Sequence, residues 1–298
     1  MKNKFRFDLA FVLMALVCAI PVLAQKNAAK ERGTIFAVIN DGVTLEPIAF
    51  VENGKLVSTG DGSVEPADLA KMFYKTGTKY DLIFGGVQNG TATITKSNVG
   101  TECGGSSADV KVTSDKARLK GFVMGLVTNI KPTAKAAGLR RMPTAGEKTE
   151  IEGLVRAEYA RHKVPAAAYK LLHYYNLTAV DVDNDGIPEM IGSYWVAPTT
   201  KTRGLLFFIA EKKASGKYGF TYSDYAAIKP SDLMSGDLKD LDTMGGELLV
   251  DLFDVDNDGT AEIFAIEKAF EGNNYHVYKR SGGKWTKEFE TYDYRCGY

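Results

Sequence analysis

Along the N-terminal part of the chain, apolar and β-branched positions come in short runs broken by turn residues. Residues 34–39 and 43–51 are two such runs, and Asn40-Asp41-Gly42 between them is a hairpin signal. Asn53-Gly54 marks a second turn before a short run at 55–58. Residues 66–74 place Leu69, Met72 and Phe73 on one stripe, which predicts a short helix. Further strand-like runs lie at 80–84, 91–95, 110–113 and 122–128, so 33–130 reads as an N-terminal β-rich domain. Residues 131–149 combine Lys, Ala, Gly, Pro and Thr without periodicity and read as a linker. At its end Thr144 and Glu147 fit a capping box. Behind them Ile151, Leu154, Val155 and Tyr159 share one helical face, so a helix is expected within 150–170, stopping before Pro165.

From residue 171 to 298 the pattern repeats. Residues 181–186 read DVDNDG, and residues 254–259, starting 73 positions later, read DVDNDG again. Each copy continues with two residues and a glutamate, Glu189 or Glu262, and then an apolar run. A strand-like run leads into each loop, and two more follow it, joined by Ser215-Gly216-Lys217 in one copy and Ser281-Gly282-Gly283 in the other. Each unit therefore reads strand, acidic loop, strand, strand, turn, strand. The expected fold is mainly β: an N-terminal β domain, one linking helix, and two four-stranded antiparallel repeats arranged as blades or stacked sheets.

The spacing of the loop carries its chemistry. Carboxylates at relative positions 1, 3 and 5 converge in a tight turn, and Gly at 6 supplies the sharp bend. A backbone carbonyl at 7 and a carboxylate at 9 complete an oxygen cage. Oxygen ligands without His or Cys favour Ca²⁺ over transition metals. Without a cation, carboxylates about 4 Å apart repel by roughly 1–4 kcal/mol per pair, depending on the effective dielectric. An EF-hand is excluded, because position 12 is Gly192 in one copy and Ala265 in the other, and the flanks are strands.

DVDNDGIPEMI and DVDNDGTAEIF resemble the D-x-D-x-D-G-x-x-E core of VCBS/FG-GAP repeats, the modules of integrin-alpha-like β-propellers. The resemblance spans 171–298 and implies two Ca²⁺ sites. One would use Asp181, Asp183, Asp185 and Glu189 with the Ile187 carbonyl. The other would use Asp254, Asp256, Asp258 and Glu262 with the Thr260 carbonyl. Asn184 and Asn257, at position 4, would shape the loops rather than ligate.

Composition narrows the function classes. The chain has 298 residues, 45% hydrophobic and 25% charged, as in ordinary folded proteins. Its 37 basic residues balance 37 acidic ones, which leaves no basic surplus for a nucleic-acid partner. Lys2, Lys4 and Arg6 precede an apolar run at 9–20, and Ala24 follows Val22 by two, so 1–24 reads as a signal peptide cleaved after Ala24. The mature protein is then expected to be secreted or periplasmic, with no membrane span. Cleavage removes three bases and Asp8, leaving 34 bases against 36 acids. Two cysteines then remain, Cys103 and Cys296, and in an oxidising compartment an even pair reads as a disulfide, with two independent thiols as the alternative.

No catalytic residues are assigned. His162, His173 and His276 are the three histidines, and neither HExxH, GxSxG, a Walker loop nor GxGxxG stands in a suitable context. The expected function is an exported calcium-binding β-repeat protein with a binding or structural role. Its partner would be a protein or glycan; the many Tyr and Trp of the C-terminal half read first as half-buried strand faces, with an exposed aromatic surface for that partner as the alternative. The alternative is a secreted hydrolase on a calcium-stabilised scaffold, with a cleft near His173, Asp224 or Glu267.

Overall fold

The computed structural model describes residues 32–59, 64–99, 105–132, 138–232, 245–269 and 271–294. The expected signal peptide, Cys103 and Cys296 lie outside the described residues. The fold is mainly β, with 53% of the described residues in strands and 13% in helices. Among the described residues, no helix is long and apolar enough to cross a membrane.

The N-terminal part is a closed six-stranded barrel. Its strands are β1 (Gly33–Ile39), β2 (Thr44–Glu52), β4 (Lys79–Phe84), β5 (Val87–Ser97), β6 (Ala108–Thr113) and β7 (Gly125–Thr128), in the order β1-β7-β4-β5-β6-β2. Pairing of β1 with β2 closes the ring, and β3 (Lys55–Ser58) extends β2. The β1–β2 turn follows from its sequence: Asn40, Asp41 and Gly42 all hold positive φ, and these residue types tolerate that region. The interior is filled by Phe36, Val38, Phe50, Leu82, Ile94 and Val127. Helix α1 (Pro66–Phe73) adds Leu69 and Phe73 to that core, while Met72, expected on the same stripe, is exposed.

Helix α2 (Ala145–Arg161) begins inside the stretch read as linker and ends well before residue 170. Its capping box sets the start. Glu147 N donates to Thr144 Oγ1 at 3.3 Å, and Thr144 N donates to Glu147 Oε2 at 2.7 Å, so the first turn is satisfied from Ala145 onward. Lys163, at φ 60, takes the chain out of the helix before Pro165. Just upstream, β8 (Arg140–Arg141) pairs with the first strand of the repeats.

Each repeat is an antiparallel meander. The first comprises β9 (His173–Val180), β10 (Glu189–Thr199), β11 (Thr202–Lys212) and β12 (Tyr218–Ile228), and β8 makes it five-stranded. The second comprises β13 (Glu247–Phe253), β14 (Glu262–Ala269), β15 (Gly272–Ser281) and β16 (Lys284–Tyr294). The two sheets stack face to face through Ile191, Phe207 and Ile209 on one side and Leu249, Ile263 and Tyr278 on the other. Helix α2 covers the outer face of the first sheet with Ile151, Val155 and Tyr159. The barrel wall covers the outer face of the second, where Ile35, Ala37 and Leu126 meet Val250, Phe264 and Ile266. Strands β10, β13 and β14 are therefore buried on both faces, which explains their near-continuous apolar runs.

One buried ion pair locks this arrangement. Asp251, on β13 and fully buried, accepts from Gly85 N at 2.8 Å, Gly86 N at 3.3 Å and Leu252 N at 2.8 Å. Arg140 Nη1 reaches it at 2.8 Å and also donates to the Met124 and Val250 carbonyls. Burial pushes the Asp251 carboxyl up, and Arg140 with the backbone donors pulls against that shift.

Candidate metal centres

The two acidic loops connect β9 to β10 and β13 to β14, so each is held between two adjacent antiparallel strands of its sheet. Their backbones match. Position 4 is left-handed in both, with Asn184 at φ 61 and Asn257 at φ 60, and so is position 6, with Gly186 at φ 83 and Gly259 at φ 93. Asn is among the few residues with a side chain that tolerate this region, which accounts for its place in both copies.

The internal hydrogen bonds also repeat. Position 1 accepts from the glycine at 6: Gly186 N to Asp181 Oδ2 at 3.0 Å, and Gly259 N to Asp254 Oδ2 at 3.0 Å. Position 5 accepts from position 7: Ile187 N to Asp185 Oδ1 at 2.6 Å, and Thr260 N to Asp258 Oδ1 at 2.9 Å. Position 9 reaches back to position 2: Val182 N to Glu189 Oε2 at 2.9 Å, and Val255 N to Glu262 Oε2 at 2.8 Å. A bond from Ala261 N to the Val182 carbonyl at 2.7 Å sets the loops side by side.

Among the ten residues expected to ligate, the structure brings six into close groups. One carboxylate oxygen from each of Asp181, Asp183 and Glu189 lies within 4.8 Å of the others, and Asp254, Asp256 and Glu262 do the same. These two groups can hold a metal ion. Asp185 and Asp258 stand outside these groups, each with an oxygen bonded to the backbone of its own turn. Ile187 and Thr260 lie in the same turns, and the Ile187 side chain is exposed.

In the first loop the charges are poorly matched. Asp181 is 3% exposed and Glu189 5% exposed. Burial pushes the Glu189 carboxyl up to about 8; Asp183 and Glu211 add to that shift, and the Val182 N–H opposes it. Asp181 Oδ1 and Asp183 Oδ1 are buried with no hydrogen-bond partner. Such atoms are costly in a folded protein, and a cation among them would supply the missing interaction. Arg280, on β15, reaches across from the second sheet: Nη1 meets Asp183 Oδ2 at 2.8 Å and Nη2 meets Glu211 Oε2 at 3.1 Å. Trp285 Nε1 holds the other Glu211 oxygen at 2.6 Å.

In the second loop a side chain supplies positive charge. Lys279 Nζ donates to Asp256 Oδ2 at 2.8 Å, Asp258 Oδ2 at 3.0 Å and Glu262 Oε1 at 2.7 Å. Burial works against the lysine's charge, yet hydrogen bonds to the three carboxylates hold its pKa above the ordinary value. Burial also raises the Glu262 carboxyl, with Lys279 offsetting part of the shift.

The loop motif pointed to none of Lys279, Arg280 and Glu211. The available signal was register. Lys279 follows Tyr278, which pairs with Ile263, and Glu211 follows Ala210, which pairs with Met190. Both therefore sit across from position 9 of a loop, with opposite charges in the two repeats.

The other residues considered for chemistry separate. His173 stacks on Trp195 at 4.0 Å between ring centroids. Asp224 and Glu267 line a small cleft between the two sheets together with Glu247, His276 and Lys287. His276 is buried there, its Nδ1 2.9 Å from Glu247 Oε1, which also accepts from Tyr278 Oη at 2.6 Å. Many aromatics are core: Tyr194, Tyr275, Tyr278 and Trp285 are buried, while Tyr174, Tyr292 and Tyr294 are exposed. A wider cleft of about 380 Å³ beside the second loop is lined by Lys55, Leu56, Asp256, Lys279, Glu288 and Phe289. In comparisons with protein-family models, curated proteins and solved structures, nothing matches this chain.

Proposed function

We propose that the chain is an exported calcium-binding β-repeat protein of the VCBS/FG-GAP kind, acting as a binding or structural module. The observation that carries this reading is the pair of buried, unpartnered oxygens, Asp181 Oδ1 and Asp183 Oδ1, grouped with the buried Glu189. All donors are oxygens, which suits Ca²⁺ rather than a transition metal. The cation's role is structural: it joins the end of β9 to the start of β10 and relieves the repulsion stored in the turn. The binding role draws on the 380 Å³ cleft beside the second loop, a volume within the roughly 300–1,000 Å³ range of ligand pockets. Its mixed lysine, glutamate and phenylalanine lining suits a protein or glycan ligand.

The test is thermal unfolding in Ca²⁺ and in EDTA. At a Ca²⁺ concentration of about ten times Kd, one site adds roughly 1.4 kcal/mol to stability. Chelation should lower Tm, and Asp183→Ala combined with Asp256→Ala should remove the difference. Identical melting curves with and without Ca²⁺ would overturn the reading. The hydrolase alternative draws on the cleft that holds Asp224, Glu267 and His276. At about 80 Å³ that cleft is well below the usual ligand-pocket size, so the binding or structural role is preferred.

A further inference from the structure

The two DVDNDG loops share their sequence, their backbone turn and their internal hydrogen bonds, and yet they meet different side chains. We propose that Lys279 closes the loop at 254–262 as a resident cation, so that the protein takes up a single Ca²⁺, in the loop at 181–189. The proposal rests on the calcium reading and concerns which loop binds.

The ammonium of Lys279 lies 2.7–3.0 Å from oxygens of Asp256, Asp258 and Glu262. Two of these residues, Asp256 and Glu262, belong to the group able to hold a metal. A Ca²⁺ ion would sit 2.3–2.6 Å from the same oxygens, so ion and ammonium require the same space. The lysine is tethered to β15 and present at every Ca²⁺ concentration, whereas a free ion pays the entropy of capture. With Lys279 in place, the second loop contributes no buried unpartnered oxygen among the described residues.

The first loop lacks such a plug. The matching position on β11 is Glu211, a fifth carboxylate rather than a cation. Arg280 does approach, but it bonds only one oxygen of Asp183 and divides its guanidinium with Glu211. Asp181 Oδ1 and Asp183 Oδ1 stay buried and unpartnered. The second repeat, which packs on the barrel, is thus charge-satisfied by its own chain, and the first repeat is the one that responds to Ca²⁺.

The experiment is Ca²⁺ titration of the full mature chain by isothermal calorimetry, with stoichiometry checked by native mass spectrometry. One ion per chain is expected. Asp183→Asn should weaken binding by roughly tenfold or more, since loss of an anionic ligand costs at least as much as loss of a partner that orients one. Asp256→Asn should leave affinity and stoichiometry unchanged, and Lys279→Met should raise the stoichiometry to two. Two ions in the unaltered protein would overturn the proposal, as would weakened binding in Asp256→Asn or a folded Lys279→Met that still takes one. If Lys279→Met does not fold, the Asp256→Asn result decides. No bound ion at all would overturn the calcium reading itself, and this proposal with it.

Discussion

Gly186 and Gly192 lie six residues apart and are required for different reasons. Gly186 sits at φ 83 with nothing within 4 Å of where a Cβ would be, so its constraint is conformational. Gly192 has an ordinary backbone, but a Cβ there would lie 2.6 Å from the Phe208 ring and 2.8 Å from Leu177, inside the core under α2. Gly186→Ala should cost about 1–2 kcal/mol through the left-handed strain and should weaken Ca²⁺ binding. Gly192→Ala should cost about 1–3 kcal/mol by overpacking while leaving Ca²⁺ affinity intact once the protein is folded. Urea unfolding and calcium titration of the two variants would separate these effects; equal losses of affinity would refute the distinction. Residue-level features of this kind are legible beforehand at position 6 of the loop, because the turn is local. Nothing in the sequence around Gly192 indicates that Phe208 lies against it.

At the scale of elements, α2 shows how a local signal sets a boundary. Thr144 and Glu147 cap each other, and Arg141 holds Glu147 with two bonds of 2.8 Å. The Arg141 bond is the largest influence on Glu147 and, despite partial burial, brings its carboxyl down to about 2. A carboxyl held below its unfolded value stabilises the fold at neutral pH. That contribution is full above about pH 4.5 and is lost as pH falls from there toward about 2. Glu147→Gln should therefore flatten the acid side of the stability profile in that window, read by chemical unfolding at a series of pH values. Thr144→Ala should cost about 1 kcal/mol at neutral pH, as loss of an N-cap does. The capping box is written within four consecutive residues, which makes the helix start legible. The pairing of β8 with β9 is not, because two arginines carry no strand pattern.

For the whole molecule, the layers from α2 through two sheets to the barrel are joined by long-range packing and by the Asp251–Arg140 pair. Truncating one partner of a buried ion pair leaves the other charge buried alone and costs about 3–5 kcal/mol. Asp251→Ala should fall in that range in urea unfolding. Replacing both residues, as in Arg140→Met with Asp251→Leu, should cost much less than the two single changes added together. Additive losses would show that the pair is not a coupled unit.

The sequence by itself determined the mainly β class, the strand–loop–strand order of both repeats, the turn residues and the loop carboxylates at positions 1, 3, 5 and 9. These depend on neighbours within about a dozen residues, and alternation, spacing and left-handed positions record such neighbours directly. Only the tertiary structure decided that the N-terminal strands close into a barrel, that this barrel covers the second repeat while α2 covers the first, and that Asp251 joins the barrel to β13. It also decided which charges meet the loops. Lys279 lies 25 residues after Asp254 in the chain, and Arg280 serves a loop almost a hundred residues before it. Strand register and sheet stacking create those meetings, and no local pattern of residues encodes either, so two identical DVDNDG motifs end in different electrostatic surroundings.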